Sequence, residues 1–223
     1  MDVEKLLIQE SARQNAYKGL ADCYKLPGEG LANTLEQLEH VFETLESEAG
    51  SHIALVRKEI MGPEELADLK VDYSQLFVGP YCVLAPPYGS VYLEEERRVM
   101  GDSTMDIQKR YADAGLTIAE IFKDNPDHIQ AELEFMYFLI FKEIEAIQEG
   151  SHEAVSSFLL KQRSFLQDHL SVWVKDFVQK IEKHSQTNFY KGLAMATQTF
   201  ISEDFAEITE LEISEPAPAV VSV

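Results

Sequence analysis

Basic residues are scarce in this chain: 19 Lys and Arg stand against 39 Asp and Glu in 223 residues, a formal net charge of −20. A surface of that sign repels phosphate backbones, which excludes nucleic acid as a partner. It repels an anionic membrane surface for the same reason. What remains is a cationic partner, or acidity that serves only solubility. Cysteine is nearly absent. Cys23 and Cys82 lie 59 positions apart and form no CxxC, so neither a zinc site nor a redox pair is signalled. Long apolar runs are missing too: the longest, Phe135 to Phe141, is far short of the roughly 20 residues a membrane span needs. The opening Met1-Asp2-Val3-Glu4-Lys5 has no basic stretch leading into an apolar one, so no secretory signal is expected and the chain reads as cytoplasmic. No GxxxxGK or GxGxxG occurs, which excludes the ordinary nucleotide folds; Gly28-Glu29-Gly30 is a turn. Strand signals are scarce.

Helical periodicity is present throughout. Ala16, Tyr17, Leu20 and Tyr24 share one face of a first helix that stops before Pro27-Gly28. Leu31, Leu35, Leu38, Phe42 and Leu45 make a second, flanked by Glu36, Glu39, Glu43 and Glu46 on a solvated face. Pro63 with Glu64 and Glu65 marks a helix start, and that helix is expected to reach Val78. From about 79 to 101 prolines and glycines disfavour regular structure. The stretch is too apolar for disorder, with Tyr81, Val83, Leu84, Tyr88, Val91, Tyr92 and Leu93, and predicts an ordered, packed loop. Ser103 to Asp106 matches a capping box, and Gly115 ends that helix at Ala114.

Asn125 before Pro126 predicts the N-cap of a central helix. Its stripe is Ile129, Leu133, Met136, Ile140, Ile144 and Ile147, with Phe135, Tyr137, Phe138, Leu139 and Phe141 on the other sides. Gly150-Ser151 breaks it. The next stripe, Leu166, Leu170, Trp173, Phe177 and Ile181, carries a bend near His169, and Phe189, Leu193, Ala196 and Phe200 mark a last helix. The expectation is one all-α domain, a helical bundle over 1–206, followed by an acidic, Pro/Ala-containing tail over 207–223 without fixed structure.

Chemistry-bearing residues are few. Asp127, His128 and Glu132 at the head of the central helix can form an acid–base site or half a metal site, can bind a partner, or can simply cap the helix. Only Glu149-x-x-His152 has the spacing of a bundle metal pair, and it straddles the Gly150-Ser151 break, so neither metal nor other cofactor is expected. Cys82 has apolar neighbours and reads as an inert buried thiol. The tyrosines at 73, 81, 88 and 92 either pack the loop or form a binding surface, since tyrosine offers large contact area at low entropic cost.

The chain resembles the TorD/DmsD-type family of redox-enzyme maturation chaperones, to which NarJ-like proteins are related. The resemblance rests on Tyr73-x-x-Leu76-Phe77, Pro86-Pro87-Tyr88-Gly89-Ser90-Val91-Tyr92 and Met100-Gly101-Asp102-Ser103-Thr104. It continues through Tyr111-x-x-x-Gly115-Leu116, Pro126-Asp127-His128, Glu132 to Met136, His169-Leu170-x-x-Trp173 and Phe189-Tyr190-x-x-Leu193-Ala194. About residues 70 to 200 are covered. The resemblance implies a non-enzymatic cytoplasmic chaperone, all-helical, that binds the twin-arginine leader and the body of a molybdenum-cofactor (molybdopterin) enzyme's catalytic subunit before Tat export. It further implies a monomer or a domain-swapped homodimer. Carried over by residue, the leader-binding surface comprises Leu76, Phe77, Tyr81, Tyr88, Ser90, Tyr92, Asp127 and His128. Some members carry Trp where this chain has Tyr81, Tyr88 and Tyr92. The competing reading is a small acidic enzyme or metal-binding protein that uses Asp127, His128 and Glu132.

Overall fold

A computed structural model describes residues 2–59, 62–79, 82–94, 101–116 and 125–213, and within these no strand forms. Ten helices follow in order: α1 (Val3–Cys23), α2 (Leu31–Thr44), α3 (Ala49–Arg57), α4 (Pro63–Tyr73), α5 (Ser90–Leu93), α6 (Asp102–Asp113), α7 (Ile129–Gln148), α8 (His152–Phe165), α9 (Ser171–His184) and α10 (Asn188–Glu210). The chain is thus the all-α bundle that its periodicity predicts.

Apolar stripes decide the packing. α2 buries Leu31, Leu35, Leu38 and Phe42, and α7 buries Ile129, Leu133, Met136, Ile140 and Ile144. α1 lies against α7 and α2, α10 against α3 and α9, and α7 against α8. The centre is aromatic: Tyr17, Tyr24, Phe42, Phe165, Trp173, Phe177, Phe189 and Tyr190 are all essentially inaccessible. α7 is not covered on every side, because Phe141 is exposed and Tyr137 and Phe138 are half-buried.

The stripe expected to bend near His169 does bend, the helix expected to run straight to Val78 changes phase as well, and the cause is the same in both. α4 ends in a π-helical turn over Ser74–Val78. A second π turn, Leu166–Leu170, joins α8 to α9 and includes His169. Each π turn admits one extra residue and so rotates the following stripe. The first turns Leu76 and Phe77 inward, where Phe77 meets Tyr24, Tyr73, Phe177 and Tyr190 edge-on or tilted.

Two helix starts differ from expectation. α6 begins at Asp102 behind Gly101, so Ser103 is already inside it. The Ser103 N–H and hydroxyl donate to Glu94 Oε1 at 2.9 and 2.8 Å, so a distant glutamate replaces the local box, while Asp106 binds Arg110 and His169 instead. α7 begins at Ile129 with His128, not Asn125, as N-cap: Nδ1 accepts the Gln130 N–H at 3.2 Å. Asn125 instead accepts the His128 N–H on its carbonyl at 3.0 Å, closing a turn through Pro126 and Asp127. At the other end α10 continues to Glu210, four residues past 206, and positions 214–223 lie outside the described residues.

Candidate functional site

The apolar loop after α4 is fastened at both ends. Ala85 N–H donates to the Leu76 carbonyl at 2.8 Å, which seats the loop on the first π turn. Downstream it runs antiparallel to the turn before α7: Tyr88 pairs with His128 in an isolated bridge, Gly89 N–H donates to the Asp127 carbonyl at 2.8 Å, and Ile129 N–H donates to the Pro87 carbonyl at 2.8 Å. Two prolines leave the loop few amides, and those of Ala85 and Gly89 are used here.

Asp127 completes the junction. Its side chain is fully buried, and Oδ2 accepts the Ser90 N–H at 2.9 Å, capping the one-turn helix α5 from outside. Asp127 therefore lies before α7 rather than in its first turn, and its carboxylate faces the loop. His128, 6% exposed, meets the Tyr88 ring edge-on with centroids 5.3 Å apart. Because Nδ1 accepts from Gln130, a neutral His128 ring carries its proton on Nε2.

Behind the loop stands a second carboxyl. Glu132 is fully buried and accepts the Trp173 indole N–H on Oε2 at 3.0 Å. Burial pushes its pKa well above the usual carboxylate range and the Asp127 charge adds to this, although the indole bond opposes it. Glu132 is therefore biased toward its neutral, protonated form. Trp173 stacks on Tyr92 at 5.5 Å and 16°, and the Tyr92 hydroxyl donates to the Pro86 carbonyl at 2.8 Å. Gly89 lies so close that an added Cβ would stand 2.9 Å from Glu132 Oε1 and 3.0 Å from Trp173 Nε1. Glycine is required here by close approach rather than by backbone angle. Tyr111 donates to the Pro126 carbonyl at 2.8 Å and holds the turn from the α6 side.

Of the residues that resemblance assigns to a peptide-binding surface, the fold brings Tyr88, Ser90, Tyr92, Asp127 and His128 into this one junction. Tyr88 and Tyr92 are half-buried, whereas Ser90 and Asp127 are inaccessible. Leu76 and Phe77 sit beneath the loop in the core. Tyr81 lies outside the described residues, and Cys82 beside it is exposed rather than buried as its apolar neighbours suggest. Glu132 and Trp173 belong to the same unit. Their spacing in sequence, 41 residues, carries no local signal, although Gly89 between two tyrosines hints at a close backbone approach.

For acid–base chemistry the arrangement is poor. Asp127 and Glu132 are sealed by the loop and by Trp173, and His128 is committed to capping. Among the described residues no group of three or more His, Cys, Asp or Glu is placed to hold a metal ion, and no helix is long and apolar enough to cross a membrane. The geometry is that of an aromatic shelf pinned onto a helix end.

Comparison with known proteins agrees with this. The family model "Nitrate reductase delta subunit" matches residues 28–179. The chaperone protein TorD of Vibrio parahaemolyticus is 29% identical over 139 residues, which is 62% of this chain and 63% of TorD. The Tat proofreading chaperone DmsD of Salmonella typhi is 25% identical over 136 residues, 61% of this chain and 60% of DmsD. The chain thus spans somewhat under two thirds of the length of these relatives. The TorD of a Shewanella species is matched further, at 27% over 172 residues covering 73% of this chain and 75% of its own. A crystal structure of a protein assigned as a redox enzyme maturation protein from Archaeoglobus fulgidus superposes with a TM-score of 0.53 over 85% of this chain and 93% of its own. At 21% identity that likeness shows the fold. These relatives are chaperones rather than enzymes, and with the family model matching more than half of it, the chain belongs to the nitrate reductase delta subunit family, whose members include the TorD/DmsD-type chaperones.

Proposed function

We propose that the protein is a cytoplasmic chaperone that holds the twin-arginine leader and the apo form of a molybdopterin-containing oxidoreductase until its cofactor is inserted. The observation that carries this reading is the shelf made by Tyr88 and Tyr92, fixed to α7 through Asp127 and His128 and backed by Trp173.

The physics favours contact by the aromatics over contact by the acid. Burying on the order of 400 Å² of the apolar part of a leader yields about 10 kcal/mol gross at ~25 cal/mol per Å². Ordering and lost motion of the peptide remove much of that. Asp127 is sealed beneath the loop with one oxygen on Ser90, so a guanidinium does not reach it while the loop is seated, and its contribution is to keep the loop in place. The net charge of −20 then steers a basic leader toward the protein and sets its orientation.

Calorimetric titration of one leader peptide into the wild type, Tyr88→Ala and Asp127→Asn tests the reading. Tyr88→Ala is expected to weaken binding the more. The reverse ranking overturns the shelf, and a wild type that binds no leader overturns the chaperone reading. Affinity capture from the source cytoplasm then identifies the client, expected as one unprocessed twin-arginine oxidoreductase.

A further inference from the structure

A second recess lies toward the far end of α7, where α1, α8 and α10 converge. Glu143 is 15 residues beyond His128, or about 22 Å along the helix at 1.5 Å per residue. The cleft holds about 640 Å³ and is walled on one side by Leu45, Ile147, Val155, Leu159 and Leu211. Its floor is ionic. Arg13, 8% exposed, donates to Asp204 at 2.6 and 3.3 Å, to Gln162 at 3.0 Å, and to Glu10. Asp204 also accepts the Tyr17 hydroxyl at 2.6 Å.

Arg13 is thereby used up, and Glu143 is left over. It is 2% exposed and lines the cleft, yet it stands 4.0 Å from the guanidinium, beyond a hydrogen bond. Among the described residues its only hydrogen bond comes from the Gln162 amide, to Oε2 at 2.6 Å, so Oε1 receives none. Around it the charges are lopsided. α1 brings Lys5, Glu10 and Arg13, α10 brings Glu203, Asp204 and Glu207, and α8 brings Arg163, which is turned to the carbonyls of Ile208 and Leu211. A buried carboxylate that shares one guanidinium, at its edge, with Glu10 and Asp204 lies inside an excess of negative charge and is a place for a cation from outside.

We propose that this cleft is a second binding site, taking a basic amphipathic segment of a partner polypeptide. One Lys or Arg side chain meets Glu143 with Glu203 and Glu207 near the rim, and its apolar neighbours lie on Leu45, Ile147, Val155, Leu159 and Leu211. The apolar wall excludes a bare hydrated cation as the natural occupant, since it would leave half the cleft unused. A second copy of this chain, at −20, is a poorer match to an acidic lining than a basic segment is. The site stands apart from the aromatic shelf, and it holds whether or not that shelf binds a leader.

The cleft also sets a pH signature. Burial, and then the Glu10 charge, push Glu143 up to about 7, and the same burial and Asp204 raise Glu207. A cation binds the carboxylate, so below neutrality binding has to expel a proton. With a free-state value near 7, affinity is expected to rise about tenfold from pH 6 to pH 8.

The test uses the full chain, isotopically labelled for amide chemical shifts, with two blocked hexapeptides as probes: Leu-Arg-Leu-Leu-Arg-Leu and its uncharged citrulline counterpart. The arginine probe is expected to shift amides of α1, the end of α7, α8 and α10, and to bind about tenfold tighter at pH 8 than at pH 6. Glu143→Gln should flatten that profile. The rim variant Glu207→Lys, which leaves the buried floor intact, should weaken binding severalfold. Equal binding of the citrulline probe overturns the proposal. So does an arginine-probe response confined to residues 85–93 and 127–132, or no response at all.

Discussion

α7 carries a buried glutamate near each end, and the two are kept by opposite means. Glu143 sits in a network that already holds Arg13, Asp204 and Glu10, so charge is buried there against charge. Among the described residues Glu132 has no cation beside it; burial biases it toward its neutral form, and an indole N–H meets one oxygen. The first arrangement spans the chain from residue 13 to residue 204 and ties the ends of the sequence together. The second ties one loop to one helix end. An ionic network ought to be costly to break and responsive to outside charge, whereas a neutral one ought to be milder to break and to act through shape.

The largest effect tests the ionic half. Arg13→Met keeps much of the side-chain volume but leaves Asp204, Glu10 and Glu143 buried together, and should cost about 3–5 kcal/mol in urea unfolding. A loss under about 1 kcal/mol, the scale of an exposed pair, would show that water reaches the network freely. The neutral half should yield less. Trp173→Phe keeps a ring against Tyr92 but removes the indole N–H that donates to Glu132, and is expected to cost about 1–3 kcal/mol.

What the sequence made legible follows the same division. Stripes such as Leu31, Leu35, Leu38 and Phe42 appear in the fold as buried faces because local periodicity alone sets them. The bend near His169 was readable because the apolar stripe changes phase there. Pro63 opens α4 as its sequence predicts, but the starts of α6 and α7 were not readable. Asn125-Pro126 is a good local start, yet Pro87, Gly89 and Ser90 compete for the same turn through long-range backbone bonds, and they move the cap to His128. Arg13 and Asp204 were wholly hidden: they lie 191 residues apart, and Asp204 stands in a run of acids that reads as solvated. The candidate site was legible as a set of residues, but not in its division of labour between half-buried rings and sealed acids.

The pH dependence separates the two glutamates from ordinary acids. A carboxyl whose folded value is raised keeps its proton when the unfolded chain has lost it, so the folded state is favoured at low pH and loses ground as pH rises. Glu132→Gln mimics the neutral acid. Relative to wild type, the variant is therefore expected to gain stability steadily as pH is raised above the usual carboxylate range, with little difference below it. Unfolding midpoints at pH 4.5, 6 and 8 give the comparison, and parallel profiles would mean that Glu132 is ionised in the fold.

The smallest expected effect is the most telling about the shelf. In Asp127→Asn the amide oxygen can still accept the Ser90 N–H, so the loop should stay where it is. The bond to Ser90 loses its charge-assisted strength while the lost charge relieves Glu132, which Asp127 helps to push up, and these two consequences oppose each other. Stability should therefore move by less than about 0.5 kcal/mol. Asp127→Ala keeps that relief but leaves the buried Ser90 N–H without its acceptor, at a cost of about 1–3 kcal/mol. If the two variants bind a leader equally badly, the charge of Asp127 itself is recognised. If Asn binds like the wild type and Ala does not, Asp127 acts by holding the loop, and the aromatic rings make the contact.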